Sequence, residues 1–475
     1  MSFVSVTFLC FIVAYFAVAP LLRERRTLRL GFMTMMSLVF YGWADPWWIL
    51  LLVLSGLIDF VAAIFMGRFP RFKAVFLVGS LVGNLGILGL FKYSGFVAHS
   101  LSALCTWLGV PVREVLVLPT WSTILPAGIS FYTFQSMSYT IDVYRGELKA
   151  TRDPLHFFAY LAIFPQLVAG PIVRAGELLP QLLAPTRVDL RGRVDGLWLI
   201  VWGFAKKMLV ADNLAPYVDA AFQAQHPPVG AIFWWWIMLL FALQIYGDFS
   251  GYTSIARGLG RWMGLSFPVN FRHPYLALGI RDFWTRWHIS LSTWFRDYCY
   301  RPLGGGRVGH VRAHCNLWLT MLASGLWHGA SWTFLLWGAF HAALVSCERL
   351  TRWPDRLSRV PGGYAMVVLI TFLLVLLTWV PFRAGSLEQA WTIMGKMCGA
   401  NGLGVPWAHP AFGLVPALIV GAIFLREVLH ACGRDHAIRM RILRAPLLEP
   451  IALVCVVLAS VYFRGPGHQF IYFQF

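Results

Sequence analysis

Two stretches of this chain carry groups able to do acid–base chemistry in surroundings otherwise built for lipid. One is Arg281-Asp282-Phe283-Trp284-Thr285-Arg286-Trp287-His288-Ile289-Ser290-Leu291-Ser292-Thr293-Trp294, and the other is Leu326-Trp327-His328-Gly329-Ala330. Ionisable groups inside a membrane are costly, which makes them functional candidates by default. His328 lies in an apolar run beginning near Asn316 and has two readings. It is either a core histidine bonded to a neighbouring helix, or a general base taking the proton of an attacking hydroxyl, a role worth about 10²–10⁴ in rate. Neutral imidazole in a water-poor site suits the second reading. Trp327 flanks it, and Gly329 lets a substrate or another backbone approach closely. His288 has the same pair of readings in a more polar setting. On a continuous helix Asp282, Arg286 and Ile289 would share one face, and Trp284, His288 and Leu291 another. Asp282 and Arg286 could then pair, leaving His288 on an aromatic side. Ser290, Ser292 and Thr293 are hydroxyl donors within reach of the same segment.

The elements that must position these groups are membrane helices. The chain has 475 residues, 58% of them hydrophobic and 13% charged; a soluble globule carries about 25% charged residues. Apolar runs of near-spanning length recur at about 3–22, 30–43, 47–66, 74–92, 120–140, 155–172, 194–211, 230–247, 317–327, 330–347, 364–382, 411–425 and 446–463. Several are short or hold Gly and Pro, so some are half-spanning or re-entrant, which requires burial in protein or a cavity. The expected fold is an all-α polytopic membrane protein without a soluble domain. Its parts are an N-terminal bundle (about 1–264), a basic block (about 265–316) dipping in from the cytoplasmic side, a C-terminal bundle (about 317–463) and a tail (464–475). Pro302-Leu303-Gly304-Gly305-Gly306-Arg307 breaks any helix inside the block.

Basic residues set the expected orientation. Arg23, Arg25, Arg26 and Arg29 put the first loop in the cytoplasm and the N-terminus outside; Arg68, Arg71 and Lys73 agree two spans later. Arg426, Arg434, Arg439, Arg441 and Arg444 form a further cytoplasmic loop, which leaves Arg464–Phe475 outside. Ala17-Val18-Ala19 resembles a signal-peptidase site only faintly, with no positive region before it, so the first run is read as a retained span. The net charge of +18 is distributed over short loops beside anionic lipid, which argues against nucleic-acid binding. It also attracts an anionic cytosolic donor. The eight cysteines form no CxxC and lie mostly in apolar runs, so neither a disulfide framework nor a metal site is expected. His310, His314 and Cys315 lack a second ligand pair. Asp248, at the end of an apolar run, is expensive unless paired or wet.

Arg281–Tyr298 (RDFWTRWHISLSTWFRDY) and Ser324–Ala330 (SGLWHGA), in this order, resemble the membrane-bound O-acyltransferase family, in particular its bacterial branch that acetylates exopolysaccharides such as alginate. Leu125–Phe134 with Tyr139–Gly146, Phe164–Arg174, and Gln244–Tyr252 carry the same likeness, and the register holds over roughly residues 1–385 plus the tail. The resemblance implies about 11–13 transmembrane or half-spanning helices around a central tunnel and funnel. It implies a catalytic role for His328, matching the family's invariant histidine, and for His288, the second active-site position, where relatives hold His or Asn. Asp248, Arg286, Asp282, Trp327 and Gly329 would support the site or bind the donor.

The implied reaction moves an acetyl group from a cytosolic acyl thioester, acetyl-CoA or an acyl carrier, across a bacterial inner membrane toward a secreted polysaccharide. No bound cofactor or metal is implied. Because no esterase-type Ser-His-Asp domain is evident, an extracytoplasmic SGNH-type acetyltransferase is the expected partner. The tail His468-Gln469-Phe470-Ile471-Tyr472-Phe473-Gln474-Phe475 is either an interfacial aromatic anchor or folds back to present Tyr472 as a transient acyl carrier. Phenoxide leaves more readily than a sugar alkoxide. Three alternatives remain: a D-alanyl transferase of the teichoic-acid type, a transporter making no bonds, and a scaffold for a polymer synthase. His430-Ala431-Cys432-Gly433-Arg434-Asp435 fits the H-x4-D pattern of other acyltransferases, but it lies in a basic loop without a supporting block and is read as a chance match.

Overall fold

A computed structural model describes residues 1, 3–110, 125–224, 230–400, 402–404, 409–434 and 448–471. They are helical, with no strand among them. In chain order the helices are α1 (Val6–Val18), α2 (Arg26–Gly42), α3 (Trp47–Arg68), α4 (Lys73–Leu88), α5 (Ser94–Trp107), α6 (Ile129–Arg145), α7 (Pro154–Leu161), α8 (Phe164–Leu167), α9 (Ala175–Leu183), α10 (Leu190–Ala205), α11 (Asp212–Gln223) and α12 (Ala231–Trp262). After the basic block's α13 (Ile280–Arg286) and α14 (Ile289–Phe295) come α15 (His310–His328), α16 (Trp332–Thr351), α17 (Trp353–Leu357), α18 (Gly363–Arg383), α19 (Leu387–Met397), α20 (Leu414–Ala431) and α21 (Leu448–Tyr462).

Five described segments are long and apolar enough to cross a membrane by themselves: Trp47–Arg68, Pro70–Trp107, Ala231–Trp262, Gly363–Arg383 and Leu414–Ala431. Shorter apolar helices, Val6–Leu22 and Leu448–Tyr462, accompany them. Hydropathy ends one run near residue 92, whereas the helix runs on to Trp107 through a π turn at Gly89–Tyr93. Lys92 lowers the local hydropathy without breaking backbone hydrogen bonding. The run expected at 120–140 begins outside the described residues, and its helix α6 starts at Ile129.

The chain gathers into two compact units, residues 1–196 with 256–268, and 197–255 with 269–475. Most of α12 groups with the chain's second half.

In the first unit, Gly128 (φ +76°) sets the entry of α6, where a Cβ would lie 2.7 Å from the Leu167 carbonyl oxygen. Gly146 (φ +77°) ends that helix in the left-handed cap that favours glycine. Asp153 caps α7, accepting from the amides of Leu155 (3.0 Å) and His156 (3.2 Å), with Pro154 at the first helical position. A polar knot lies inside this apolar unit. Asp59 accepts from Ser80, from Asn84 Nδ2 (2.9 Å) and from Thr140 Oγ1 (2.7 Å), so the buried carboxyl has hydrogen bonds in place of water.

The second unit is assembled through glycines. Gly203 on α10 and Gly251 on α12 face each other's backbone, each with its Cβ position 2.7 Å from the other's carbonyl oxygen. Small residues permit this approach between apolar helices. The hairpin of α15 and α16 closes the same way: a Cβ on Gly325 would lie 2.3 Å from the Phe334 carbonyl oxygen, and one on Gly338 2.5 Å from that of Met321. Gly325→Ala is expected to lower stability by about 1–3 kcal/mol, read as a drop in the melting temperature of the detergent-purified protein. Gly421→Ala on α20, where nothing lies within 4 Å, is expected to leave it unchanged or slightly raised.

Candidate active site

The basic block is not one helix across His288. Trp287 is extended and His288 adopts the left-handed conformation (φ +41°, ψ +54°), so α13 ends at Arg286 and α14 starts at Ile289. A left-handed non-glycine residue is uncommon and is held there by its surroundings. Here the holding group is buried Asn270: its carbonyl accepts the Ile289 amide (3.0 Å) and its Oδ1 accepts the Ser290 amide (3.1 Å). Asp282 and Arg286 do pair, at 2.9 Å. Asp282 also accepts the Leu278 amide (2.8 Å) and the Thr285 hydroxyl (3.0 Å). The break removes the shared face expected for Trp284, His288 and Leu291.

Glu348 on α16 anchors the block from the other end. Its Oε2 accepts the amides of Ile280 (2.6 Å) and Arg281 (3.2 Å) at the start of α13, where a carboxylate suits unsatisfied helix N–H groups. Gly279 (φ +124°) makes the approach possible, since its Cβ would lie 2.9 Å from the same oxygen.

His328 is the last residue of α15, and Gly329 continues in extended conformation. The Gly329 requirement is structural: a Cβ there would lie 2.0 Å from the Phe334 ring. Both histidines are buried, His328 at 4% exposure and His288 at 1%, and their ring centroids are 6.4 Å apart. Trp327 touches both, at 5.8 Å from His288 and 5.0 Å from His328. Trp337 (5.0 Å) and Phe382 (5.3 Å) meet His328 edge-on, and Phe249 (4.6 Å) meets His288. The pair therefore sits in an aromatic, water-poor shell, where one imidazole can take a proton while the other orients a polar group. Of the expected hydroxyl donors, Ser292 gives its proton to the Trp287 carbonyl (3.0 Å) and Thr293 to that of Ser290 (3.0 Å).

Asp248 is paired. Lys207, in a π turn at Lys206–Ala211 between α10 and α11, lies 3.0 Å from Asp248 and 2.8 Å from Asp212, all three buried. The Gly203–Gly251 contact puts Lys207 about one turn past the crossing, just beyond the end of α10, and Asp248 about one turn from it on α12. Lys207 and Asp212 were not singled out from sequence, although a lysine pair ending the 194–211 run satisfies the same rule that flagged Asp248. The C-terminal segment meets this cluster up to Ile471, and Tyr472 lies outside the described residues. Two other sequence signals resolve elsewhere. His430 stacks on His273 at 3.4 Å, while Asp435 lies outside the described residues. His314 bonds Ser346 at 3.1 Å. Among the described residues no group of three His, Cys, Asp or Glu side chains could hold a metal ion.

The profile of the membrane-bound O-acyltransferase family matches residues 147–381, a span that contains both histidines. Over 317 residues the chain is 45% identical to the probable alginate O-acetylase AlgI of Pseudomonas putida, covering 66% of this chain and 62% of that protein. It is 41% identical to the corresponding Pseudomonas aeruginosa protein over 364 residues, 76% of this chain and 68% of the relative. It is 30% identical to the peptidoglycan O-acetyltransferase of Helicobacter pylori over 490 aligned positions, 92% and 90% of the two chains. The match to the Pseudomonas putida relative thus spans somewhat less than two thirds of that protein's length. Motif order, buried histidine pair and likeness over most of the sequence agree: the chain belongs to the membrane-bound O-acyltransferase family.

Proposed function

We propose that this protein is a membrane O-acetyltransferase that draws an acetyl group from a cytosolic acyl thioester and passes it outward for O-acetylation of a secreted, alginate-like polysaccharide. The observation that carries the reading is the pair of buried histidines, 6.4 Å apart within one aromatic shell, in a chain of this family. In the proposed reaction His328 accepts the proton of an attacking hydroxyl as its oxygen bonds to the thioester carbonyl carbon. Collapse of the tetrahedral adduct breaks the carbon–sulfur bond, and the departing thiolate takes the proton back. His288 orients the carbonyl or the base. A second proton acceptor would be redundant beside His328, and Trp327 packs against both rings. Asp282 and Arg286 act as a pair at the end of α13, next to the turn that presents His288.

The same reading makes Tyr472 the first acceptor. Its phenol takes the acetyl group as an ester, and a polymer hydroxyl displaces it in a second transfer carried out with an extracytoplasmic SGNH-type partner. The protein resides in the bacterial inner membrane, with its N-terminus and aromatic tail on the outer side. The donor is acetyl-CoA or an acyl carrier, bound from the cytoplasm.

His328→Ala at wild-type membrane abundance is expected to lower acetyl transfer by about 10²–10⁴ with polymer yield unchanged, measured as ester-linked acetyl on the secreted polysaccharide. Unchanged acetylation would sink the base assignment and favour a transporter or scaffold. A second expectation follows from the left-handed backbone at His288. Asn tolerates that conformation and β-branched residues do not, so His288→Asn should retain a folded, partly active protein. His288→Val should lose both melting temperature and activity. Equal melting temperatures for the two variants would contradict the strained-turn account.

A further inference from the structure

The C-terminal segment is held by its backbone, at a cluster of buried charges. Lys207 Nζ donates to the His468 carbonyl (2.9 Å), the His468 amide donates to Asp212 (3.3 Å), and the Ile471 amide donates to Asp248 (2.7 Å). Upstream, Asn213 Nδ2 donates to the Phe463 carbonyl (2.8 Å) and the Gly465 amide to that of Met208 (3.1 Å). At Gly465 a Cβ would fall 2.2 Å from the Asp212 carbonyl, so this segment lies directly on the backbone where the π turn meets α11. π turns are frequent at functional sites. Lys207 pairs with both carboxylates while each of the three uses a further bond on the tail, so the hydrogen bonding of the cluster is complete only with the segment in place. Phe470 then lies 4.9 Å from Tyr252 and 6.0 Å from Phe249, whose ring meets His288 at 4.6 Å.

We propose that Lys207, Asp212 and Asp248 form a clasp that reads the backbone of the C-terminal segment and positions it, ending at Ile471, toward the histidine pair. They are positioning residues for acyl transfer, and the segment is a ligand of its own chain. This rests on the relay reading of Tyr472, the residue that follows. Because the clasp grips amides and a carbonyl, it tolerates side-chain change at 471 but not loss of the N–H. Ile471→Pro removes the donor to Asp248, whereas Ile471→Val keeps it.

The test uses the full-length protein in nanodiscs, with two readouts on the same variants: amide hydrogen exchange of the tail peptide, and acetyl transfer to polymer in cells. Ile471→Pro and the charge-free triple variant Lys207→Met, Asp212→Asn, Asp248→Asn are expected to speed exchange of the tail. They should also lower transfer by about a hundredfold, the scale of an ångström-sized misplacement. Ile471→Val, which keeps the N–H, should leave tail exchange at the wild-type rate. The triple variant keeps the experiment interpretable if Lys207→Met alone misfolds by stranding two carboxylates. In a chain truncated after Arg464, which lacks Tyr472 and the bonded backbone, the triple change should not lower the melting temperature further; an additional drop would mean a merely structural role and would overturn the proposal. Wild-type tail protection in the triple variant would overturn the clasp, and fast exchange with undiminished transfer would overturn its positioning role. Tail exchange needs no turnover, so failure of the clasp and failure of the His328 chemistry are separately visible.

Discussion

A charge moved into an apolar interior costs several kcal/mol unless an opposite charge and hydrogen bonds replace the water it loses. In the second unit this constraint falls on Lys207, Asp212 and Asp248, buried together where α10, α11 and α12 meet. Their pairing depends on helix separation, which Gly203 and Gly251 set by admitting backbone to backbone contact. It also depends on the C-terminal segment, whose amides and carbonyl complete the hydrogen bonding. Phe249, the residue after Asp248, packs on His288, so the same helix that carries the clasp also walls the histidine pair.

Convergence of the two histidines has a different origin. His328 ends a helix packed through glycines against its successor, and His288 occupies a left-handed turn fixed by Asn270 and, further back, by Glu348 of α16 at the start of α13. His288 is placed by a left-handed backbone that few residues accept, and His328 by the glycine-packed hairpin of α15 and α16. The surrounding tryptophans and phenylalanines exclude water, a setting in which proton transfer and dipole contacts count for more than in solvent.

Much of this was legible in the sequence because its signals are local. The low charge and recurring apolar runs identify a membrane helix protein. Asp282 and Arg286 pair at four-residue spacing, Pro126 and Gly128 bound α6, and Gly304-Gly305-Gly306 interrupts the basic block. The histidine motifs were recognisable by their likeness to the family. What escaped is non-local or conformational. The turn at Trp287–His288 has no glycine or proline to announce it. The tail contacts join residues more than two hundred positions apart. The apolar run that ends near residue 92 stops short of Trp107, where the helix ends, because hydropathy falls beyond Lys92 while the helical hydrogen bonding continues. Lys207 was within reach of the rule on intramembrane charges, and Gly329 had a packing partner, Phe334, that only the folded hairpin reveals.

The central claim is that this single chain opens an acyl thioester at its histidine pair. It is tested most directly by purified protein in proteoliposomes supplied with acetyl-CoA, following release of free thiol. The account predicts thiol release that saturates with donor and requires His328. No release above empty liposomes, from correctly folded protein supplied in turn with acetyl-CoA and an acetylated carrier protein, would contradict it.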